Sequence, residues 1–319
     1  MRQFSPLICV GLSFLIGACA APQHRAKAKG MTEPERRDAP FVPEKVERLR
    51  VLLVGDSGHP GDDINKVRRA MMAEEKDVIV ALGDLAYPDV PECPDGRAEG
   101  EAKKTLDWKL GDALGGLGAP VLLVMGNHDV PLNVTGSAQE ACLVDYAAQR
   151  DDFVLPDTTH VVDYGVAILA VTNTQVIRDV DGQKVAKALK GHQGWRVGLA
   201  HHVYKTYRDK TGENIVRPWL KKHGIDIDVW GNGHAHILQM GSYDGVVAIT
   251  SGTASLKRAK PSCPPECGPG ETFGSSEAGY AIADFTPTTL TVTFKNASGK
   301  VLHSWSGTKE ALRATRLGQ

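Results

Sequence analysis

One repeated pattern constrains this chain more than any other feature: a short apolar run, a glycine, then a residue with a lone pair to offer. "RVLLVGD" ends at Asp56, "DVIVALGD" at Asp84 with Tyr87 three positions on, and "PVLLVMGNHD" at Asn127, His128 and Asp129. "WRVGLAHH" ends at His201 and His202, and "IDIDVWGNGHAH" carries His234 and His236. Such apolar runs read as buried strands. Between the first three lie two helical stretches, "DDINKVRRAMMAEE", with Asp62 or Asp63 as N-cap, and "EAKKTLDWKLGDAL". Strands alternating with helices predict βαβ units and a parallel sheet. The carboxyl ends of parallel strands share one edge, so the donor clusters are expected to converge there. Glycine beside each donor permits sharp turns and close approach. A single aspartate in such a place is an ordinary turn residue, and a histidine pair is commonly solvated. Five clusters, each at a strand end, exceed what turn chemistry explains.

The second half changes character. "THVVDYG" and "VAILAVT" read as a hairpin, "IVRPWLKKHG" as a helix closing on Gly224, and "GVVAIT" to "KVLHSW" mostly as short strands. Lys257 to Ser276, rich in Pro, Gly and Cys, reads as a long loop. The whole predicts one α/β domain with added β structure. A composition of 42% apolar and 24% charged residues excludes a wholly disordered chain. The net charge of -1 supplies no basic field, so nucleic acid binding is not expected.

The N-terminus has another logic. Arg2 precedes an apolar run from Leu7 to Ile16, too short to span a bilayer but suited to an export signal. "LIGAC" resembles the bacterial lipobox, which makes Cys19 the first mature, lipidated residue; a plain secretory cut near Ala20 or Ala21 is the alternative. Ala20 is not the aspartate associated with inner-membrane retention. The expected location is therefore the bacterial cell envelope, lipid-anchored, at the outer membrane or facing the periplasm. The Pro-, Lys-, Arg- and Glu-rich stretch after Cys19 reads as a flexible tether. The expected boundaries are a signal over 1–18, a tether over 19–48, the folded domain over 49–306 and a C-terminal tail over 307–319. Cys93, Cys142, Cys263 and Cys267 remain for two disulfides, in any of three connectivities. Four free thiols or a zinc site are the alternatives, the zinc site disfavoured because only one close pair exists.

Taken together, Asp56, Gly83-Asp84-x-x-Tyr87, Gly126-Asn127-His128-Asp129, His201 and Gly233-His234-x-His236 resemble the signature of the calcineurin-like metallophosphoesterases. The GDxxY form is similar to the purple acid phosphatase branch. The resemblance runs from about Leu49 to Trp305. It implies an α/β/β/α sandwich with mixed sheets and a binuclear metal site at the strand C-terminal ends. One metal is implied on Asp56, Asp84, Tyr87 and His236, the other on Asp84, Asn127, His201 and His234, with Asp84 bridging. Fe(III) is implied beside the Tyr87 phenolate, with Fe(II), Zn or Mn in the other position. The implied activity is hydrolysis of a small phosphate ester by a metal-bound hydroxide, as an acid-phosphatase-like phosphomonoesterase. A phosphodiesterase on the same core and a non-catalytic envelope lipoprotein are the competing readings.

His128, beside Asn127, is implied as a contact to the phosphoryl group or as the acid that protonates the leaving oxygen. The chain departs from the family after His201: many members have a proline soon after and a further histidine about nine residues on. Here Val203 follows His202, and "YKTYRDKTGEN" has no histidine. Lys205, Arg208 or His202 are the candidate substitutes, His202 being taken with His128 as a catalytic residue. Since Cys93 and Cys142 each follow a metal-binding strand end, they are expected to pair across the active face, leaving Cys263 with Cys267.

Overall fold

The computed structural model describes residues 41–317, except 94, 207, 208, 260 and 261. The signal, Cys19, most of the tether and Arg208 lie outside the described residues.

The first half runs β1 (Leu49–Val54), α1 (Asp62–Met72), β2 (Val78–Ala81), then α2 (Gly100–Leu106), which passes through a π-helical turn (Asp107–Gly111) into α3 (Asp112–Leu114). It continues with β3 (Val121–Leu123), α4 (Ala138–Ala148) and β4 (Phe153–Val154). The second half runs β5 (His160–Asp163), β6 (Ala167–Val171), α5 (Asp179–Leu189), β7 (Trp195–Leu199), a π-helical turn (Gly212–Val216), α6 (Arg217–His223) and β8 (Val229–Asn232). It closes with β9 (Leu238–Tyr243), β10 (Val246–Ser251), β11 (Glu271–Ser275), β12 (Gly279–Phe285), β13 (Thr289–Asn296), β14 (Val301–Thr308) and α7 (Lys309–Leu317).

These strands form two seven-stranded sheets, ordered β14-β13-β12-β1-β2-β3-β4 and β11-β9-β10-β8-β7-β6-β5. Both are mixed. β1 to β4 are parallel, and β12 joins β1 antiparallel. In the second sheet β6, β7, β8 and β10 are parallel, while β5 and β9 run against their neighbours.

Two-residue periodicity explains the layering. Val51 and Leu53 of β1 join Leu169, Val197, Val292 and Phe294 in a core between the sheets. Leu52 and Val54 face the other way, onto Ile64, Val67 and Met71 of α1. Ile168 and Ala170 of β6 pack likewise on Val185 and Leu189 of α5 and Trp219 of α6. Strands buried on both faces must be apolar throughout, which is why they read as continuous runs. The result is the expected α/β/β/α sandwich, built from two sheets.

Several local expectations need correction. The folded region begins before Leu49: Phe41 packs against the inner core, Val46 bridges Gly165, and Arg48 forms an ion pair with Asp284. Single anchors in a charge-rich segment leave no periodicity to read. The expected tail is instead the end of β14 followed by α7, with Leu312 buried. The expected loop after Lys257 ends in β11, whose Phe273 enters the inner core. Two helices also escaped the sequence reading. α4 is marked by Ser137, whose hydroxyl accepts the N–H of Glu140 at 3.1 Å, a signal available in "SAQE". α5 is masked by Gly182, which is needed because a Cβ there would lie 2.3 Å from the His223 ring. Cys93–Cys142 and Cys263–Cys267 are disulfides.

Asp228, at the foot of β8, is fully buried, and it ties the C-terminal helix to the second sheet. Its carboxylate accepts from Arg196 at 3.0 Å and from Arg313 of α7 at 3.1 Å. Burial alone would raise its pKa, but these hydrogen bonds outweigh that and hold it at about 2. Removing one partner of a buried ion pair costs about 3–5 kcal/mol. Arg313 remains in Arg196→Ala, so a loss of about 3 kcal/mol is expected in urea unfolding at pH 7. Because the folded pKa is depressed, the pair's contribution is full above about pH 4 and disappears as pH falls through 2. The gap between wild type and Arg196→Ala should close over that window.

Candidate metal centre

Five strand ends deliver the donors, three from the first sheet and two from the second. Asp56, Asp84 and Asn127 follow β1, β2 and β3, while His201 follows β7, and His234 and His236 follow β8. The loops are strained where they matter. Asp56, Asp84, His234 and His236 have φ of 55°, 56°, 68° and 53°, in the left-handed region that non-glycine residues rarely occupy. Such residues persist only where their surroundings over-determine them. Here the Asp56 N–H donates to the Gly83 carbonyl at 3.0 Å, the Gly58 N–H to the Asp84 carbonyl at 3.0 Å, and the His234 N–H to Asp56 Oδ2 at 2.9 Å.

The side chains form two groups that share one carboxylate. In the first, the Tyr87 hydroxyl donates to Asp84 Oδ2 at 2.6 Å, with Asp56 Oδ1 at 3.1 Å and His236 Nε2 at 3.2 Å. His236 Nε2 is itself 3.0 Å from Asp56 Oδ1. In the second, His201 Nε2 lies 3.2 Å from Asp84 Oδ1 and 3.0 Å from Asn127 Oδ1. His234 Nδ1 lies 2.8 Å from Asn127 Oδ1 and 3.1 Å from His201 Nε2. Donor atoms of Asp56, Asp84 and His201 all lie within 4.8 Å of one another, and the three residues are buried.

The donor chemistry fits cations. Asp and Tyr oxygens dominate the first group; imidazole nitrogens and an amide oxygen dominate the second. His201 donates from Nδ1 to the Leu82 carbonyl at 2.8 Å, which turns Nε2 inward. Burial would lower the His201 pKa, but Asp84 and Asp56 outweigh it and raise the value to about 9. A cation between these groups replaces that proton. Burial, then the charges of Asp56 and Asp84, push the Tyr87 phenol far up, so only a strong Lewis acid makes it a phenolate ligand.

The other expected residues divide. His128 sits at the rim, its side chain 37% exposed, with Nδ1 2.5 Å from the Pro88 carbonyl and its backbone N–H donating to Asp84 Oδ1 at 3.0 Å. That leaves Nε2 as the nitrogen available to a ligand. His202 is buried, and its Nδ1 pairs with the Thr174 hydroxyl at 2.9 Å. Burial, then His201 and His234, push its pKa down to about 3. Its ring centre lies 4.8 Å from that of His234 and 5.6 Å from that of His201, so it packs against the second donor group. Lys205 places its ammonium 5.1 Å from the centre of the Tyr243 ring. Asp129, fully buried, accepts the N–H groups of Leu85 and Gly126 at 2.7 Å each and so ties the second and third loops together. Asp209, in contact with His234, was not foreseen; its loop has ordinary polar composition and carries no marker.

Gly126 shows how little room the shared carboxylate has: a Cβ there would lie 2.3 Å from Asp84 Oδ1 and 2.5 Å from the Asp84 nitrogen. Gly126→Ala is expected to lose at least one bound metal equivalent by elemental analysis, with the circular dichroism of the fold retained. Full metal content in that variant would show that Asp84 has freedom the structure does not give it.

The calcineurin-like phosphoesterase family model matches residues 49–238. Purple acid phosphatase 17 of Arabidopsis thaliana is 28% identical over 128 residues, covering 38% of this chain and 37% of that protein. The chain thus spans little more than a third of the curated relative it matches. Among solved structures, purple acid phosphatase PPD1 from yellow lupin seeds superposes with a TM-score of 0.61 at 17% identity, over 86% of this chain and 56% of that one. GAP50, the anchor in the inner membrane complex of Plasmodium, superposes with a TM-score of 0.59 at 15% identity, over 81% and 88%. At these identities the two structures speak to the fold.

Proposed function

We propose that this chain, which belongs to the calcineurin-like phosphoesterase family, is a binuclear, acid-phosphatase-like phosphomonoesterase of the purple acid phosphatase-like branch. The observation that carries this reading is the pair of donor groups sharing Asp84. A metal pair held there supplies Lewis acidity toward the phosphoryl oxygens and a water-derived nucleophile near neutral pH. Asp56, Asp84, Tyr87 and His236 would hold one ion; Asp84, Asn127, His201 and His234 the other. The chemistry of the first group favours Fe(III), and that of the second Fe(II), Zn or Mn.

The chain's own contribution to the reaction lies at the rim. His128 donates from Nδ1 to the Pro88 carbonyl, so Nε2 is the nitrogen that faces a leaving oxygen, and it can deliver a proton there only from the imidazolium form. Pro88 to Glu101 and the stretch from Lys257 lie beside these loops in sequence and are the segments that would choose the substrate. Cys19 and the segment behind it support an envelope lipoprotein reading, in which lipid anchors the enzyme and the tether spaces it from the membrane. Among the described residues no helix is long and apolar enough to cross a membrane.

A substrate panel of mono- and diesters tests the activity: monoester preference is expected, and turnover of diesters alone would replace the proposal. With iron bound, a tyrosinate-to-Fe(III) band is expected in the visible, and Tyr87→Phe should abolish it. An unchanged band in that variant would remove Tyr87 from the ligand set.

General acid catalysis typically contributes about 10²–10⁴-fold where the leaving group needs a proton. An alkoxide needs one; a nitrophenolate does not. His128→Ala is therefore expected to slow an alkyl phosphate by at least about 10²-fold, with a much smaller effect on nitrophenyl phosphate and unchanged metal content. Equal losses on both substrates would assign His128 to phosphate binding instead.

A further inference from the structure

The loop between β7 and α6 carries a carboxylate outside both donor groups. Asp209 Oδ2 lies 3.0 Å from His234 Nε2, the nitrogen on the far side of the ring from the Nδ1 that faces Asn127 and His201. Asp209 is itself fixed. Its Oδ1 accepts the backbone N–H of Thr211 at 2.7 Å and the Thr211 hydroxyl, and its own N–H donates to Thr206 Oγ1 at 3.1 Å. The side chain is 17% exposed, so water competes little for the contact.

An imidazole that donates from one nitrogen has a single lone pair left, on the other. The partner behind the ring therefore sets both the tautomer and the direction of that lone pair. His201 follows the same rule with the Leu82 carbonyl as partner. The two histidines of the second donor group are thus oriented from behind by different chemistry, one by a neutral carbonyl and the other by an anion. An anionic partner also makes the imidazole more basic.

We propose that Asp209 is the positioning residue for His234: it fixes Nδ1 as the nitrogen turned toward the second donor group and strengthens that group's grip on a divalent cation. The inference rests on the binuclear reading above. Asp209 acts through His234 and takes no part in the reaction itself.

Calorimetric titration of Zn(II) into the metal-free full chain tests this. Wild type is expected to take up two equivalents. In Asp209→Ala one binding step should weaken about 10–100-fold, while the other stays unchanged. Asp209→Asn keeps an oxygen that accepts from Nε2–H but loses the charge, and should fall between the two. Nitrogen-15 NMR of the histidine rings gives a second readout: His234 should hold its proton on Nε2 in the zinc-loaded wild type and lose that preference in Asp209→Ala. Should Asp209→Ala fail to fold, Thr211→Val, which removes one hydrogen bond behind the carboxylate, should weaken the same step to a smaller degree. Two equivalents in wild type with both steps unchanged in the Asp209 variants would overturn this inference alone. Uptake of a single equivalent by wild type would overturn the binuclear reading and this inference with it.

Discussion

The site depends on one buried carboxylate used from both sides. Asp84 accepts the Tyr87 hydroxyl on Oδ2 and faces His201 with Oδ1, which also accepts the backbone N–H of His128. A buried anion costs several kcal/mol unless its environment compensates. Asp84 has that compensation from the imidazole, the phenol and the amide, which hold its pKa well below the ordinary carboxylate range although burial opposes them. The neighbouring backbone is shaped around it. A Cβ on Gly83 would meet the His201 ring at 2.5 Å, and one on Gly126 would meet Asp84 itself. The glycines before the donors are thus positions where no side chain fits.

The packing of the two sheets completes the centre. His201 leaves the second sheet and lies against Gly83 and Gly126 of the first. His234 reaches back so that its N–H meets Asp56 Oδ2. Neither donor group can therefore form within one sheet, and the inner core shared by Leu53, Leu199, Val197 and Val292 also sets the spacing of the donors. The late strands serve the same end. β12 pairs with β1, placing the last part of the chain beside the strand that delivers Asp56. Ser255, following β10, donates its backbone N–H to the Asp56 carbonyl at 3.1 Å and helps hold the left-handed turn.

What was legible in the sequence follows from how local each signal is. β1, β2, β3, β7 and β8 were readable because both of their faces are largely buried and their residues are mostly apolar, Arg50, Arg196 and Asn232 being the exceptions. α5 was hidden by Gly182, whose requirement lies in His223 of another helix. β11 was hidden by the Pro- and Gly-rich stretch before it, and α7 by its short polar sequence, since its anchor, Asp228, is 85 residues away from Arg313. His202 looked equivalent to His201 in "AHH", yet one faces Asp84 and the other Thr174. Both follow the end of β7 in a bend, where strand alternation gives no rule for which of two histidines reaches Asp84.

The sequence by itself determined the identity of the donors and their attachment to strand ends, because both are properties of short segments: an apolar run, a glycine and a polar residue. It also carried the family signature through Asp84, Tyr87, Asn127 and the two histidines of "GHAH". Only the tertiary structure decided the order of the strands within each sheet and brought His201 and His234 of one sheet against Asp84 and Asn127 of the other. It alone set His202 against Thr174 and brought Asp209 behind His234. Those outcomes depend on contacts between residues far apart in the chain. Burial on both faces tells a strand that it must be covered; it does not tell it by which neighbour.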